Sequence, residues 1–310
     1  DLDRPVQGQG LQILIHTTMI EHDKNIRDEY EFAEGATLDV LSIVAIPNDQ
    51  YRPHHAFNQT FLRHVLEHGL NKAVEIRMNP EEPSDDMILG SVHHAYLSQI
   101  PGEIAKYERA PKVDRRTKEG KAVWQALVES AGPNVTLVKE DLWDKAMLLA
   151  DKAIEVRKDV LGIADIHDGP VGQNTEVCLL ADVRIQKEGK HYDFKLKGQL
   201  DLVWYKKLGD PVLVVDYKTS SSCAEIPVAR KSRDSMWALQ AYTYCTLAAA
   251  YYKAPASAYY IVSSKENDNA RAYAFSQDRM IEGRNMLIRA AYRAVTQFDT
   301  DAKHQGITLL

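Results

Sequence analysis

An apolar run that ends in charged residues constrains this chain more than any other feature. Four apolar residues, Val212–Val215, lead directly into Asp216, Tyr217 and Lys218. Such a run is typical of a buried strand, and charged side chains at its end cost stability unless they are paired or used. Because residues two apart on a strand share a face, we expect Asp216 and Lys218 to point the same way and Tyr217 the opposite way.

A second carboxylate is predicted to lie beside Asp216. The midpoint between Asp201 and Asp216 falls between Leu208 and Gly209, where a Gly-Asp-Pro turn begins. If the turn centres there, the two acids are directly opposite each other in a hairpin, with Cβ atoms about 5 Å apart. Carboxylates that close repel each other unless a proton or a cation lies between them. Mg²⁺ and Mn²⁺ prefer oxygen ligands, so one of these ions is expected between the two carboxylates. A shift of the turn by one residue would weaken the predicted pairing of the two acids.

The acid-x-Lys pattern is not specific by itself. The chain has at least four other such triplets, which begin at Glu119, Glu188, Asp193 and Asp301. Those triplets lie in polar surroundings and are expected to be solvated surface. The Asp216 triplet differs in its apolar approach and its upstream acid. Its alternative interpretation is a structural Asp–Lys ion pair at a strand end.

The order of elements indicates an α/β fold with a central mixed sheet flanked by helices. Helical spacing predicts helices from about Asn58 and over 89–97, 117–131, 141–162, 235–252 and 278–298. Strands are predicted over 176–185, 192–205, 212–218, 258–263 and 270–275. Residues 1–50 are predicted to form an N-terminal segment of unknown role, with strands at 11–15 and 40–46 that pack on the core.

Composition bounds the class of protein. The net charge of −6 argues against a surface uniformly basic for nucleic-acid binding, but it leaves room for a local basic groove. The longest apolar run is too short to span a membrane, and no basic-then-apolar leader opens the sequence. The three cysteines form no Cys-x-x-Cys pair, which argues against a Cys-only metal site and fits a reducing cytoplasm.

Three further motifs accompany the acids. They are Leu89–His94 (LGSVHH), Ala110–Lys121 (APKVDRRTKEGK) and Gln240–Tyr244 (QAYTY). In this order, with Glu176, Asp201 and Asp216-Tyr217-Lys218 between them, the motifs resemble those of the RecE-like (exonuclease VIII) enzymes, a RecB-type branch of the PD-(D/E)XK nuclease superfamily. Asp114 departs from the family pattern, which has Asn there. The resemblance covers about residues 55–298 and implies a nuclease domain over 51–310.

The resemblance also implies the roles of individual residues. The implied metal ligands are His94, Glu176, Asp201, Asp216 and the main-chain carbonyl of Tyr217, around two Mg²⁺ ions that Mn²⁺ could replace. Lys218 would position or activate the attacking water, while Gln240 and Tyr244 would support the site or the DNA strand from their helix. His93 is a close rival of His94, and only the resemblance chooses between them. The alternative for Gln240 and Tyr244 is helix packing without a chemical role.

Two basic stretches are predicted to contact the phosphate backbone of DNA. Their members are Arg115, Arg116, Lys118 and Lys121 in the first stretch, and Arg230, Lys231 and Arg233 in the second. The alternative for each stretch is a solvated charged face.

The resemblance implies a Mg²⁺-dependent exonuclease that degrades linear double-stranded DNA from 5′ ends in phage-type recombination. It further implies a ring-like homo-oligomer and a single-strand annealing protein as partner. The chain contains no GxxxxGK[ST] motif, so we expect the activity to be independent of ATP. The alternatives are an endonuclease or single-strand-specific nuclease on the same core, a non-catalytic DNA-end-binding protein, and a hydrolase of another phosphate ester.

Overall fold

The computed structural model describes residues 33–167, 174–207 and 210–305, with side chains up to residue 297. The strands in these ranges are β1 (Thr37–Ala45), β2 (Tyr107–Ala110), β3 (Thr136–Lys139), β4 (Thr175–Lys187), β5 (Lys190–Trp204), β6 (Val212–Ser220), β7 (Ala256–Ser264) and β8 (Ala270–Ala274). The helices are α1 (Asn48–Tyr51), α2 (Gln59–His68), α3 (Leu70–Met78), α4 (Asp85–Ser98), α5 (Pro101–Ile104), α6 (Lys118–Ala131), α7 (Glu140–Leu161), α8 (Glu225–Asp234), α9 (Trp237–Tyr252) and α10 (Gln277–Gln305).

Six strands form one mixed sheet in the order β1-β4-β5-β6-β7-β8. The β6–β7 pair is parallel and its neighbours are antiparallel. Parallel neighbours need a crossover connection, which α8 and α9 supply between β6 and β7. The predicted α/β fold with a central mixed sheet flanked by helices is therefore confirmed.

Helices cover both faces of this sheet. Val214 of β6 packs in a cluster with Leu239 and Leu247 of α9, whereas its neighbour Val215 packs in a second cluster with Ala153 of α7. The alternation of successive side chains between the two clusters is the period-2 pattern of a strand buried on both faces. The end of β6 is therefore enclosed between two helical layers.

The helix boundaries depend on capping side chains. Asn58 accepts a hydrogen bond from the Phe61 backbone at the start of α2, as its position before the apolar spacing predicts. Helix α4 begins at Asp85, earlier than predicted, because Ser84 caps it through the backbone N–H of Met87. Helix α8 and the small parallel sheet of β2 and β3 were not predicted.

The N-terminal part of the chain contributes an edge strand. β1 pairs antiparallel with β4 from Thr37↔Gln186 to Ala45↔Leu179, with an irregularity between Val40 and Ser42. The other strand predicted in this segment, over 11–15, falls outside the described residues. The division into a segment 1–50 and a domain 51–310 stays a prediction. Of the helices that the structure describes, none has both the length and the apolar character that crossing a bilayer requires.

Candidate active site

The hairpin of β5 and β6 brings the two predicted acids together. The pairing of the two strands ends at Leu202↔Val215, after Val203↔Val214, and the same register places Asp201 opposite Asp216 one step further. The predicted register is therefore confirmed, although residues 208 and 209 of the turn lie outside the described part of the chain. At this point the backbone of Tyr217 donates a hydrogen bond to Oδ2 of Asp201 at 2.9 Å. The Asp201 carboxylate thus accepts a hydrogen bond from the backbone at the end of β6. The site begins where the backbone pairing of β5 with β6 ends.

Asp216 is buried and is held from two sides. Its side chain is 2% exposed. Oδ1 accepts a hydrogen bond from Nε2 of Gln240 on α9 at 2.9 Å, and the carbonyl of that amide accepts one from the Tyr260 hydroxyl at 3.0 Å. Oδ2 lies 2.6 Å from Nζ of Lys218, but it accepts no hydrogen bond of good geometry, so this contact is an ion pair. As the strand period predicts, Asp216 and Lys218 lie on the same face.

The two adjacent histidines of α4 have different surroundings. Nδ1 of His94 lies 3.2 Å from Oδ2 of Asp201. The ring of His93 is fully buried, and its Nε2 lies 3.3 Å from the hydroxyl of Ser263 on β7. Burial lowers the pKa of His93 to about 3, so this ring is a neutral part of the core. The geometry therefore favours His94 over His93 as the site histidine.

Glu176 reaches the site from the start of β4, where its backbone is left-handed with φ of 52°. Its Oε2 accepts a hydrogen bond from Nε2 of Gln199 on β5 at 2.5 Å. The same amide lies 3.5 Å from Oδ1 of Asn48, whose own amide donates to Glu103 at 3.0 Å. The sequence analysis missed three residues around Glu176, namely Gln199, Asn48 and Glu103. Only Gln199 had a signal, because it is two residues before Asp201 and therefore shares its strand face.

The pKa values of the acids reflect crowding in a buried space. Burial, reinforced by the charge of Asp201, raises the pKa of Glu176 to about 7. Burial also raises the pKa of Asp216 to about 6, although the Lys218 ammonium opposes the shift. Burial would raise the pKa of Asp201 as well, but the charge and hydrogen bond of His94 outweigh it and lower that pKa. Perturbed acids grouped in this way are typical of a functional site.

The donor set suits a hard divalent cation. Carboxylates of Glu176, Asp201 and Asp216 are oxygen ligands of the kind that Mg²⁺ and Mn²⁺ prefer, and Oδ2 of Asp216 is a buried acceptor without a hydrogen-bond donor. No three of the predicted ligand side chains have donor atoms within 4.8 Å of one another in the described structure. Oδ2 of Asp201 lies beside His94, whose pKa this carboxylate raises to about 9, and Oδ2 of Asp216 lies beside the Lys218 ammonium.

Tyr244 is buried on the face of α9 that covers β5. A side chain at Gly198 would place its Cβ 2.7 Å from Cδ1 of Leu247 and 3.2 Å from the Tyr244 ring. The glycine therefore lets α9 approach the strand closely, three residues before Asp201. This contact explains how Gln240, one helical turn before Tyr244, reaches Asp216.

The first predicted basic stretch is exposed around the start of α6. Arg115, Arg116, Lys118 and Lys121 are all exposed. The Arg115 guanidinium lies over the Trp124 ring at 4.4 Å, and Arg116 pairs with Asp114. No contact of these four residues with the acids is found among the described interactions, so they lie apart from the acid cluster.

The second predicted basic stretch lies on α8, close to the end of β6. Nζ of Lys231 donates to the carbonyl of Thr219, the residue after Lys218, at 2.9 Å. Burial lowers the pKa of Lys231, and the charges of Lys265 and Lys218 lower it further. Arg230 and Arg233 are exposed on the same helix. Three ammonium groups, including Lys265, which was not predicted, thus lie near the strand end that carries Asp216.

Comparison with known proteins identifies one family. The family model of the PD-(D/E)XK nuclease superfamily matches residues 54–305. No curated protein sequence matches the chain significantly. Among solved structures, the chain is similar to a protein from Eubacterium rectale that is provisionally named an exonuclease, with 11% identity, a TM-score of 0.49 and coverage of 86% of this chain and 95% of that one. It is also similar to Rai1 from Candida albicans in complex with pU5 and Mn²⁺, with 13% identity, a TM-score of 0.28 and coverage of 85% and 70%.

Proposed function

The chain belongs to the PD-(D/E)XK nuclease superfamily, and from this premise we propose that it is a Mg²⁺-dependent, ATP-independent exonuclease of linear double-stranded DNA. The proposed direction is 5′ to 3′, in recombination of the phage type. The single observation that carries the proposal is the meeting of Asp201 and Asp216 at the end of the β5–β6 hairpin, with Lys218 2.6 Å from Asp216.

The proposed metal ligands are Glu176, Asp201, Asp216, His94 and the carbonyl of Tyr217. A divalent cation bound there would lower the pKa of a water and offset negative charge on the phosphate. The chain itself fixes the ligands, because the Tyr217 N–H holds Asp201 and the amide of Gln240 on α9 holds Asp216.

Lys218 is the proposed positioning group for the attacking water. Its side chain is 22% exposed, so solvent reaches this residue while its ammonium remains paired with the buried carboxylate of Asp216. A cation fixed at the reacting phosphate stabilises charge that develops in the transition state. Lys231 and Lys265 extend this positive charge from the site and would contact the phosphates of the bound strand.

The test is digestion of linear duplex DNA labelled at either the 5′ or the 3′ end. We expect Mg²⁺-dependent release of 5′ nucleotides by the wild type, and a loss of at least ~10²-fold in rate for Lys218→Ala and Asp216→Ala. The matched control is Lys195→Ala, because Asp193 and Lys195 form the same acid-x-Lys triplet on exposed surface, where Lys195 pairs with Asp182. Near-normal digestion by Asp216→Ala, or equal losses in the control, would overturn the site.

The alternatives are separated by substrate form in the same assay. Cleavage of closed circular duplex would identify an endonuclease, and digestion of single strands alone would identify a single-strand-specific enzyme. DNA-end binding without hydrolysis under any divalent cation would identify a non-catalytic end-binding protein. A ring-like homo-oligomer and a single-strand annealing partner are part of the proposal, and sedimentation with and without DNA tests the ring.

A further inference from the structure

A second group of metal-ligating side chains lies on α2, apart from the acids of the candidate active site. His64, Glu67 and His68 each offer one ligand atom, and these atoms all lie within 4.8 Å of one another. Residues three and four apart share a face of a helix, so the spacing of the three residues brings them together on the last turn of α2. The candidate active site is built instead by α4, α9 and the strands β4 to β6.

The distances match the donor spacing of a small tetrahedral ion. Nδ1 of His64 lies 3.4 Å from Oε2 of Glu67, and Nε2 of His68 lies 3.6 Å from the same oxygen. Two ligands that each lie about 2.1 Å from a tetrahedral ion are about 3.4 Å apart. The two imidazole rings are nearly parallel, with centroids 5.9 Å apart and an interplanar angle of 19°. One nitrogen from each ring and one carboxylate oxygen can therefore converge on a single ion with small side-chain adjustments.

An unpaired nitrogen argues for a ligand at this place. Nδ1 of His64 is buried and has no hydrogen-bond partner, although the Glu67 carboxylate is near. Buried polar atoms are nearly always hydrogen-bonded, so an exception calls for an explanation. The contact of Nδ1 with Oε2 of Glu67, at 3.4 Å, is longer than most hydrogen bonds in proteins, and Nε of Arg63 lies in a similar state beside the same oxygen. The alternative is that Glu67 serves only as a surface partner for Arg63, at 3.7 Å, and for the two histidines.

The donor types select the class of ion. Two imidazoles and one carboxylate suit Zn²⁺, Co²⁺, Ni²⁺ or Cu²⁺, whereas Mg²⁺ prefers oxygen ligands alone. The Glu67 and His68 side chains are 25% and 47% exposed, so an ion could reach the group from solvent. We propose that His64, Glu67 and His68 form a transition-metal site that is separate from the candidate active site and differs from it in metal preference. The ion would link three side chains of the last turn of α2. This helix packs on α3 and α10.

The test is binding of Co²⁺ and Zn²⁺ to the untagged full chain in the presence of excess Mg²⁺. His94→Ala serves as the background, because it removes the imidazole of the candidate active site. We expect one Co²⁺ per chain with the strong visible absorption of tetrahedral coordination, and displacement of Co²⁺ by Zn²⁺. His68→Ala, which changes a half-exposed side chain, should weaken Co²⁺ binding at least tenfold, and Glu67→Gln should also weaken it.

His191→Ala, at an exposed histidine of β5, is the matched control and should bind Co²⁺ as the background protein does. Circular dichroism of each variant establishes that the fold is retained. The proposal is overturned if the background protein binds no stoichiometric Co²⁺ or Zn²⁺, if His68→Ala binds normally, or if His191→Ala loses as much affinity as His68→Ala. The readout is metal binding, so failure of this proposal leaves the proposed nuclease function untouched.

Discussion

Removal of the Gln240 amide tests how the chain prepares Asp216 for a cation. The amide donates to Oδ1 of Asp216 at 2.9 Å in a buried space, and no other hydrogen bond to that oxygen is found among the described contacts. Gln240→Met keeps a similar length and shape but cannot donate. A hydrogen bond to a charged group contributes about 1.5–3 kcal/mol, and each 1.4 kcal/mol is tenfold, so we expect Mg²⁺ affinity to fall by about 10- to 150-fold.

The assay is the initial rate of digestion of linear duplex as a function of Mg²⁺ concentration. The control is Tyr260→Phe, which removes the hydroxyl that donates to Gln240 at 3.0 Å but leaves the amide beside Asp216. That change removes a neutral hydrogen bond of about 0.5–1.5 kcal/mol, so its effect on the Mg²⁺ midpoint should be clearly smaller. An unchanged Mg²⁺ midpoint in folded Gln240→Met, or an equal shift in the control, would refute the reasoning.

Three further outcomes are expected. Tyr217→Phe should lower the free energy of unfolding in urea by about 1–3 kcal/mol and leave the Mg²⁺ midpoint unchanged. The reason is that the buried guanidinium of Arg157, 3.4 Å from the Tyr217 hydroxyl, loses that hydrogen-bond partner. An unchanged urea midpoint would contradict this. Mg²⁺ affinity should rise with pH between about 5 and 10, because three of the proposed ligands must lose protons to bind the ion. Burial raises the pKa of Asp216 to about 6 and that of Glu176 to about 7, and the charge of Asp201 raises the pKa of His94 to about 9. Calorimetry in buffers of different ionisation enthalpy should detect proton release, and its absence would count against these ligands. Lys231→Gln should weaken DNA binding and reduce the slope of log affinity against log salt by about one, whereas an unchanged slope would mean that this ammonium contacts no phosphate.

The strand end that carries Asp216 was predictable because a simple periodicity governs it. The continuous apolar run predicts a buried strand, the side-chain period of two on a strand fixes which residues share a face, and the symmetry of a hairpin fixes which residue opposes Asp216. Both rules are local, and both gave the register seen between β5 and β6. The capping side chain Asn58 was likewise predictable, because capping depends on a few adjacent residues.

The missed elements have weak local signals. Helix α8 contains Pro227 in its first turn, where proline is tolerated, and its charged sequence has little apolar spacing. Strands β2 and β3 have only four residues each, and their pairing is parallel and joins distant segments. Short segments of this kind acquire their conformation from tertiary contacts, and a local sequence pattern does not predict such contacts.

The environment of Glu176 was predictable only in part. Its carboxylate is held by Gln199, which in turn lies near Asn48, and Asn48 bonds to Glu103. These four residues come from four separated segments of the chain, so their meeting follows from the fold as a whole. The left-handed backbone of Glu176 was also unreadable, because an acid at this position carries no sequence signal for positive φ.

The central claim is that Asp201 and Asp216 bind divalent ions between adjoining strands. Anomalous X-ray diffraction from crystals grown with Mn²⁺ tests it most directly. The account predicts a Mn²⁺ peak within about 2.5 Å of carboxylate oxygens of both residues. Absence of Mn²⁺ there, at concentrations that support DNA cleavage, would contradict the account.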